Sequence, residues 1–175
     1  KAEAAKIPYR DNDLAMANHS LLRDFGEAAF SKGKLAHKGV YAWGGAGSWK
    51  TRSAAFCANL AAERGYSLSW RSVPAMLIGY SRLTMESQDA VERFISDMTR
   101  PDVLILDDLG KGSLTNRGVE LLYTILDARF VENKPIWYTA NAPPCFVKKW
   151  IRTDDVGYGE SIQRRIEEGT EVIKA

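Results

Sequence analysis

The sequence has few cysteines, no long apolar run and almost no net charge, and each of these absences excludes a class of protein. Its two cysteines, Cys57 and Cys145, are too few for a disulfide framework or a cysteine-rich metal site. No stretch of about 18 apolar residues occurs, so the sequence predicts no membrane-spanning helix. No basic segment leads into an apolar one as in a secretion signal, and we therefore expect a cytoplasmic protein. Because the net charge is only +2, any binding to nucleic acid must come from a local patch.

The length and composition predict one globular domain. The chain has 175 residues, of which 45% are apolar and 26% are charged, as in ordinary globular proteins. A chain of this size buries roughly 70% of the surface that it exposes when unfolded. We assign residues 1–36 to a polar leader and a helix (18–30), and residues 37–175 to the core of the domain. Because the first residue is Lys1 rather than methionine, we expect a further partner-binding domain upstream.

From residue 37 onwards, strand-like and helix-like patterns alternate. Short apolar runs predict strands at 40–43, 68–70, 103–106, 136–139 and 171–173. Helical spacing predicts helices at 52–64, 75–83, 87–98, 115–133, 148–150 and 160–168. This alternation is typical of a parallel sheet with helices on both faces. Ligands of such sheets bind beyond the carboxyl ends of the strands.

A glycine-rich loop lies between the first of these strands and the helix that follows it. Its residues are Gly44, Gly45, Ala46, Gly47, Ser48, Trp49, Lys50 and Thr51. In the pattern G-x-x-x-x-G-K-[ST], backbone N–H groups surround phosphate oxygens, the lysine reaches the β- and γ-phosphates, and the hydroxyl binds Mg²⁺. We therefore predict that this loop and the next residue, Arg52, bind ATP or ADP with Mg²⁺. Trp49 departs from the pattern because it replaces a glycine, and we expect its indole to narrow the pocket, reshape the loop or lower the nucleotide affinity.

Two carboxylates follow the apolar strand at 103–106. We assign Asp107, together with Thr51, to Mg²⁺ and Asp108 to the attacking water, since a hard cation prefers oxygen ligands. The same two residues also suit a solvated turn. Asn141 follows the next strand, and it either orients the same water or begins a turn.

Two adjacent arginines, Arg164 and Arg165, lie in the last predicted helix. An arginine can neutralise the charge that develops on a transferring phosphoryl group. The alternative is an exposed basic pair on an amphipathic helix. The sequence alone leaves both interpretations open.

Taken in this order, the four motifs resemble those of the AAA+ ATPases of the DnaC/IstB-like helicase-loader group, a P-loop NTPase family. Asp107-Asp108-Leu109-Gly110 matches the second motif of that family, and Asn141 matches its sensor-1 residue. The resemblance implies a three-layer α/β fold with a central parallel sheet between helices and no C-terminal helical lid. It also implies that Arg165, rather than Arg164, is an arginine finger for the neighbouring subunit. Further contacts, to the adenine, are implied for a leader that contains Ile7, Pro8 and Tyr9.

The resemblance further implies ATP hydrolysis in DNA replication. The implied partners are a replicative helicase or another DNA-processing protein, single-stranded DNA, and further copies of the chain in an ATP-bound ring or spiral. Basic residues that are candidates for a DNA-facing surface, or for an ordinary solvated face, are Arg82, Arg93, Arg100 and Lys111. Two alternatives stay open, namely an IstB-like transposition regulator that prefers duplex DNA and a P-loop scaffold that has lost turnover because of Trp49.

Overall fold

A five-stranded parallel sheet forms the centre of the fold. The computed structural model of the chain describes residues 20–85, 87–112, 114–151 and 156–175, and Ile7, Pro8 and Tyr9 lie outside these ranges. The strands in chain order are β1 (Phe30–Ser31), β2 (Lys34–Leu35), β3 (Gly39–Trp43), β4 (Leu68–Ser72), β5 (Val103–Leu109), β6 (Ile136–Ala140) and β7 (Thr170–Lys174). The spatial order of the sheet is β4-β5-β6-β3-β7, and every pairing in it is parallel. The predicted α/β fold class is confirmed.

Helices cover both faces of this sheet. They are α1 (Ser20–Ala29), α2 (Lys50–Glu63), α3 (Val73–Leu83), α4 (Gln88–Thr99), α5 (Asn116–Val131), α6 (Val147–Trp150) and α7 (Val156–Gly169), with a 3-10 turn at Pro144–Phe146. Helices α1 and α2 pack on one face, against side chains such as Val40 and Trp137. The other helices pack on the opposite face, against side chains such as Tyr41 and Leu104. The result is a three-layer arrangement, and within the described residues none of the helices is both long and apolar enough to cross a bilayer.

Two local features differ from the sequence prediction. Strand β5 continues to Leu109 instead of ending at residue 106, so Asp107 and Asp108 belong to the strand rather than following it. Its pairing with β6 shifts between Leu106 and Leu109, which is a β-bulge. The hairpin of β1 and β2 was not predicted, because strands of two residues carry no readable periodicity.

Helix α2 lies close to the sheet because its buried side is built from small residues. Ala54, Ala58 and Ala61 are completely buried, and Cys57 is nearly so. Small side chains at a packing surface allow a helix to approach its neighbours closely. This packing places the first turn of α2, with Lys50 and Thr51, beside the carboxyl ends of the central strands.

The guanidinium of Arg129 on α5 is completely buried, and backbone carbonyls hold it. Nη1 donates to the carbonyl oxygens of Met98 (3.0 Å), Thr99 (3.3 Å) and Pro101 (2.9 Å). Nη2 donates to those of Asp102 (3.0 Å) and Pro135 (2.8 Å). Burial lowers the pKa of Arg129 to about 10, so the side chain remains protonated at neutral pH. One side chain thus ties the end of α4 to the segments that enter β5 and β6.

We expect the loss of this guanidinium to destabilise the whole domain. Arg129→Met removes the guanidinium from five carbonyl oxygens, of which, within the described residues, only those of Thr99 and Pro135 have a second donor, from Nζ of Lys134 and the N–H of Leu104. It should lower the free energy of unfolding by about 3 kcal/mol or more. Arg129→Lys keeps the charge but has fewer donors, so its loss should be intermediate. Urea unfolding followed by circular dichroism measures these differences. Arg93→Met, at an exposed site on α4, is the matched control and should change stability by less than about 0.5 kcal/mol; equal stability of the two methionine variants would contradict the role of Arg129.

Candidate nucleotide-binding site

The glycine-rich loop joins β3 to α2 at the carboxyl edge of the sheet. Gly44 must lack a side chain because an added Cβ would lie 2.8 Å from the carbonyl oxygen of Ala175. Gly47 has a left-handed φ of 76°. An added Cβ at Gly45 or Gly47 would meet nothing within 4 Å, so the loop surface is open at both residues. The 14-residue helix α2 begins at Lys50 and so includes the last two residues of the loop, and the positive end of its dipole favours an anion there.

Trp49 adopts a left-handed backbone conformation, which favours glycine. Its φ and ψ are 66° and 7°, in the left-handed region. For a residue with a side chain, this conformation costs about 1–2 kcal/mol. The indole packs against the core cluster on the α1 and α2 side of the sheet, and the guanidinium carbon of Arg52 lies 4.6 Å from the ring centroid. The left-handed turn of the loop is therefore kept, and packing of the indole offsets its cost.

The ammonium group of Lys50 lies within the loop. Nζ donates to the carbonyl oxygens of Gly44 (2.9 Å) and Gly45 (2.6 Å) and to Oγ of Ser48 (3.0 Å). Burial is the main cause that lowers the pKa of Lys50, and the nearby charge of Lys111 lowers it further. The carboxylates of Asp108 and Asp107 act in the opposite direction. A lysine in this environment is held where the loop would surround an anion.

Asp107 connects three elements of the fold through one carboxylate oxygen. Oγ1 of Thr51, on α2, donates to Oδ1 of Asp107 at 2.9 Å. Oγ1 of Thr139, on β6, donates to the same oxygen. The two residues predicted to bind Mg²⁺, Thr51 and Asp107, are thus brought together next to Lys50. Hydroxyl and carboxylate oxygens are ligands that Mg²⁺ accepts, and this ion usually takes its remaining ligands from phosphates and water.

Asp108 lies in the bulge of β5, with a left-handed φ of 62°. Its N–H donates to Oγ1 of Thr139 at 3.0 Å, so a single hydroxyl orients both acidic residues. The carboxylate of Asp108 forms an ion pair with Lys111, in which Nζ and Oδ1 are 2.6 Å apart. The irregular backbone at Asp108 therefore interrupts the regular alternation of side chains along β5, directly after Asp107.

Asn141 directly follows β6, which lies between β5 and β3 in the sheet. It is therefore at the same carboxyl edge as the loop and Asp107. The segment after it is fixed, because the hydroxyl of Tyr41 donates to the carbonyl oxygen of Ala142 at 2.9 Å. Burial raises the pKa of Tyr41 far above its ordinary value, so this hydroxyl keeps its proton.

Arg164 and Arg165 lie away from these residues. Arg165 borders a small cavity together with Ile136 and Thr170, the first residues of β6 and β7, and so lies at the amino edge of the sheet. Its Nε donates to Oδ1 of Asp127 at 2.9 Å, its Nη2 also contacts that oxygen, and only 14% of its side chain is exposed. Arg164 is exposed. Arg165 thus does not join the loop residues of its own chain.

Two residues near the acidic strand were not predicted as part of this site, namely Thr139 and Lys111. Thr139 was assigned only to a strand, although a hydroxyl in an otherwise apolar run was a signal for a buried hydrogen bond. Lys111 was considered only for a DNA-facing surface. Its contact with Asp108 depends on the turn at Gly110, whose φ is 89°, and no periodicity in the sequence reports such a turn.

Comparison with known proteins identifies the family. The family described as IstB-like ATP binding protein matches residues 17–174. The replicative helicase loader DnaI of Bacillus subtilis (strain 168) is 30% identical over 151 residues. That alignment covers 86% of this chain but only 47% of the relative, so the chain spans about half the length of that protein.

Two solved structures of similar proteins share the fold. A crystal structure of DnaI aligns with a TM-score of 0.74 and 23% identity, over 98% of this chain and 90% of that one. A crystal structure of the DnaC helicase loader aligns with a TM-score of 0.64 and 21% identity, over 95% and 93% of the two chains. At these identities the likeness concerns the fold. Together with the family match over almost the whole chain, it shows that this protein belongs to the IstB-like ATP-binding proteins, within the DnaC/IstB-like group of AAA+ P-loop proteins.

Proposed function

We propose that this chain is the ATPase module of a helicase loader, which binds and hydrolyses ATP and acts on DNA or on a replicative helicase during DNA replication. The observation that carries the proposal is the meeting of Thr51 and Asp107 beside Lys50, at the amino end of α2. The name of the DnaI relative supports the choice of partner. Because the chain spans only 47% of that relative, the partner contacts belong to the proposal.

Nucleotide binding would use the loop and the first turn of α2. Residues 44–49 would surround the phosphates with backbone N–H groups, and Lys50 would exchange its carbonyl partners for β- and γ-phosphate oxygens. Thr51 and Asp107 would hold Mg²⁺, which when bound neutralises charge on the phosphates. Arg52 would contact the nucleotide together with the loop. The leader residues Ile7, Pro8 and Tyr9 would contact the base, as the family resemblance implies.

For hydrolysis, the chain offers two groups at the carboxyl edge that suit a water molecule. The carboxylate of Asp108 would accept a proton from the attacking water, and the amide of Asn141 would orient that water. Thr139 supports this arrangement, because its hydroxyl fixes the backbone of Asp108 and the carboxylate of Asp107 at the same time.

Arg165 would act on the nucleotide of a neighbouring copy of the chain. Its location at the amino edge of the sheet, away from Lys50, supports a role in trans. To reach another subunit it must leave Asp127, so subunit contact and exchange of this ion pair would occur together. A finger in trans requires head-to-tail contacts, which generate a ring or an open spiral, and we propose that ATP and single-stranded DNA promote this assembly.

A second candidate, a P-loop scaffold without turnover, is kept because of Trp49. A transposition regulator of the IstB type would use the same nucleotide site and would differ in its partner and its preference for duplex DNA.

Calorimetric titration with Mg²⁺ and either ATP or ADP tests the nucleotide site. We expect the wild type to bind both, since the backbone at Trp49 already has the left-handed conformation. Trp49→Gly should change the affinity by less than roughly tenfold, because it leaves Lys50 and the loop amides in place. Lys50→Ala should weaken binding by roughly tenfold or more, because it removes a charged donor to the phosphates. Binding by Trp49→Gly but not by the wild type would instead support the scaffold.

Mixing two inactive variants tests the trans mechanism. Arg165→Ala should reduce ATP hydrolysis by roughly 10³-fold while leaving ATP binding intact. Arg164→Ala, at the exposed neighbouring position, is the matched control and should hydrolyse ATP at nearly the wild-type rate.

Lys50→Ala chains lack a functional loop but keep Arg165, so adding them to Arg165→Ala chains should restore part of the hydrolysis. Phosphate release measured over a range of protein concentrations reports this recovery. The trans mechanism is wrong if the mixture stays inactive, or if a strictly monomeric wild type hydrolyses ATP at the full rate.

A further inference from the structure

Lys111 contacts Asp108 through both its side chain and its backbone. Its Nζ lies 2.6 Å from Oδ1 of Asp108, and its backbone N–H donates to the carbonyl oxygen of Asp108 at 3.2 Å. Between them, Gly110 has a left-handed φ of 89° and closes a tight turn. The turn therefore folds the lysine back over the acidic residue that we propose to activate water.

The backbone that carries Lys111 is also fixed on its other side. The indole N–H of Trp150, on α6, donates to the carbonyl oxygen of Gly112 at 2.9 Å. With Asp108 bound to Thr139 and Gly112 bound to Trp150, both ends of the segment 108–112 are held. The long side chain of Lys111 can therefore change partners while its backbone stays in place.

The ion pair between Lys111 and Asp108 is weak enough to be exchanged. The two side chains are 49% and 36% exposed, and pairs with such exposure contribute only about 0–1 kcal/mol to stability. A phosphate group carries more charge than a carboxylate, and hydrogen bonds between a lysine and a phosphate are of the strong, charge-assisted kind. A terminal phosphate close to this pair would thus compete well for the lysine.

Lys111 is linked to the nucleotide site through Asp108, since Asp108 directly follows Asp107, whose carboxylate contacts Thr51 in the first turn of α2. Its charge acts on Lys50, the residue that reaches the β- and γ-phosphates in loops of this pattern, and contributes to the lowered pKa of that lysine after burial. Together, Lys50, Lys111, Asp107 and Asp108 form one cluster of two positive and two negative charges. An arriving phosphate would add negative charge to this cluster and attract the ammonium group of Lys111.

We propose that Lys111 is a positioning residue that senses the terminal phosphate, holding Asp108 in an ion pair when the phosphate is absent and releasing it when the phosphate binds. This inference rests on the nucleotide binding proposed above. Asp108 would then be released from its ion pair when ATP is bound but not when ADP is bound, because only ATP carries the terminal phosphate that attracts Lys111.

Calorimetry with a non-hydrolysable ATP analogue and with ADP, each with Mg²⁺, tests this role without turnover. Lys111→Gln removes the charge but keeps a polar side chain of similar length. We expect it to weaken binding of the analogue by roughly tenfold and to leave binding of ADP within about twofold. Lys111→Arg keeps the charge and should restore most of the preference for the triphosphate. Lys38→Gln, an exposed lysine immediately before β3 and so at the opposite edge of the sheet, should leave both affinities unchanged.

The two proposals fail in different ways in this experiment. If the wild type binds neither nucleotide, the proposed function and the present inference both fall. If the wild type binds both and Lys111→Gln binds them equally well, or loses affinity for both by the same factor, only the role of Lys111 is overturned. A loss shared by both nucleotides would mean that Lys111 merely supports the loop. Lack of rescue by Lys111→Arg would equally rule out a role based on its charge.

Discussion

The buried guanidinium of Arg129 is the constraint on which the arrangement of this domain depends. A fixed positive charge in a closed core is tolerated only when it is hydrogen-bonded, and here five carbonyl oxygens accept from Nη1 and Nη2 of the guanidinium. Those carbonyls lie at the end of α4 and at the entrances to β5 and β6. Because the two central strands start from a common anchor, their register is set at the amino edge of the sheet.

That register determines which side chains meet at the opposite edge of the sheet, where the strands end. Asp107 on β5 and Thr139 on β6 meet there, and Thr51 reaches the same carboxylate oxygen from α2. A displacement of either strand by one residue would turn one of these side chains to the other face of the sheet. The geometry of the polar site therefore depends on apolar packing and on the buried guanidinium of Arg129, about one strand length away.

The sequence predicted the framework of this domain well, because the relevant signals are local. The five strands of the sheet are short apolar runs between helical patterns, and the loop at 44–51 has a recognisable chemical pattern. The pairing of Asp107 with Thr51 could be anticipated, since parallel strands and the helix between them converge at one edge.

What the sequence did not predict depends on contacts between distant segments or on single backbone angles. The role of Thr139 requires knowing that β6 is the neighbour of β5, and the turn that returns Lys111 to Asp108 requires the left-handed conformation of Gly110. The true end of β5 was missed because two aspartates at the end of an apolar run resemble a turn, whereas the bulge lets them remain in the strand. The carbonyl partners of Arg129 could not be predicted either, because every residue has the same backbone atoms and the sequence does not show which of them lie near the guanidinium.

Trp49 has a consequence for the entropy that the loop loses when a ligand binds. A glycine before the lysine samples several backbone conformations when the loop is empty, and it must lose that freedom when an anion is bound. The indole of Trp49 is packed against the core and beneath the guanidinium of Arg52, so the loop has already lost part of this freedom. Less ordering then remains to be done at each encounter with a ligand, which is the general benefit of preorganisation. In return, the folded chain carries the strain of the left-handed conformation at Trp49 whether or not a ligand is bound.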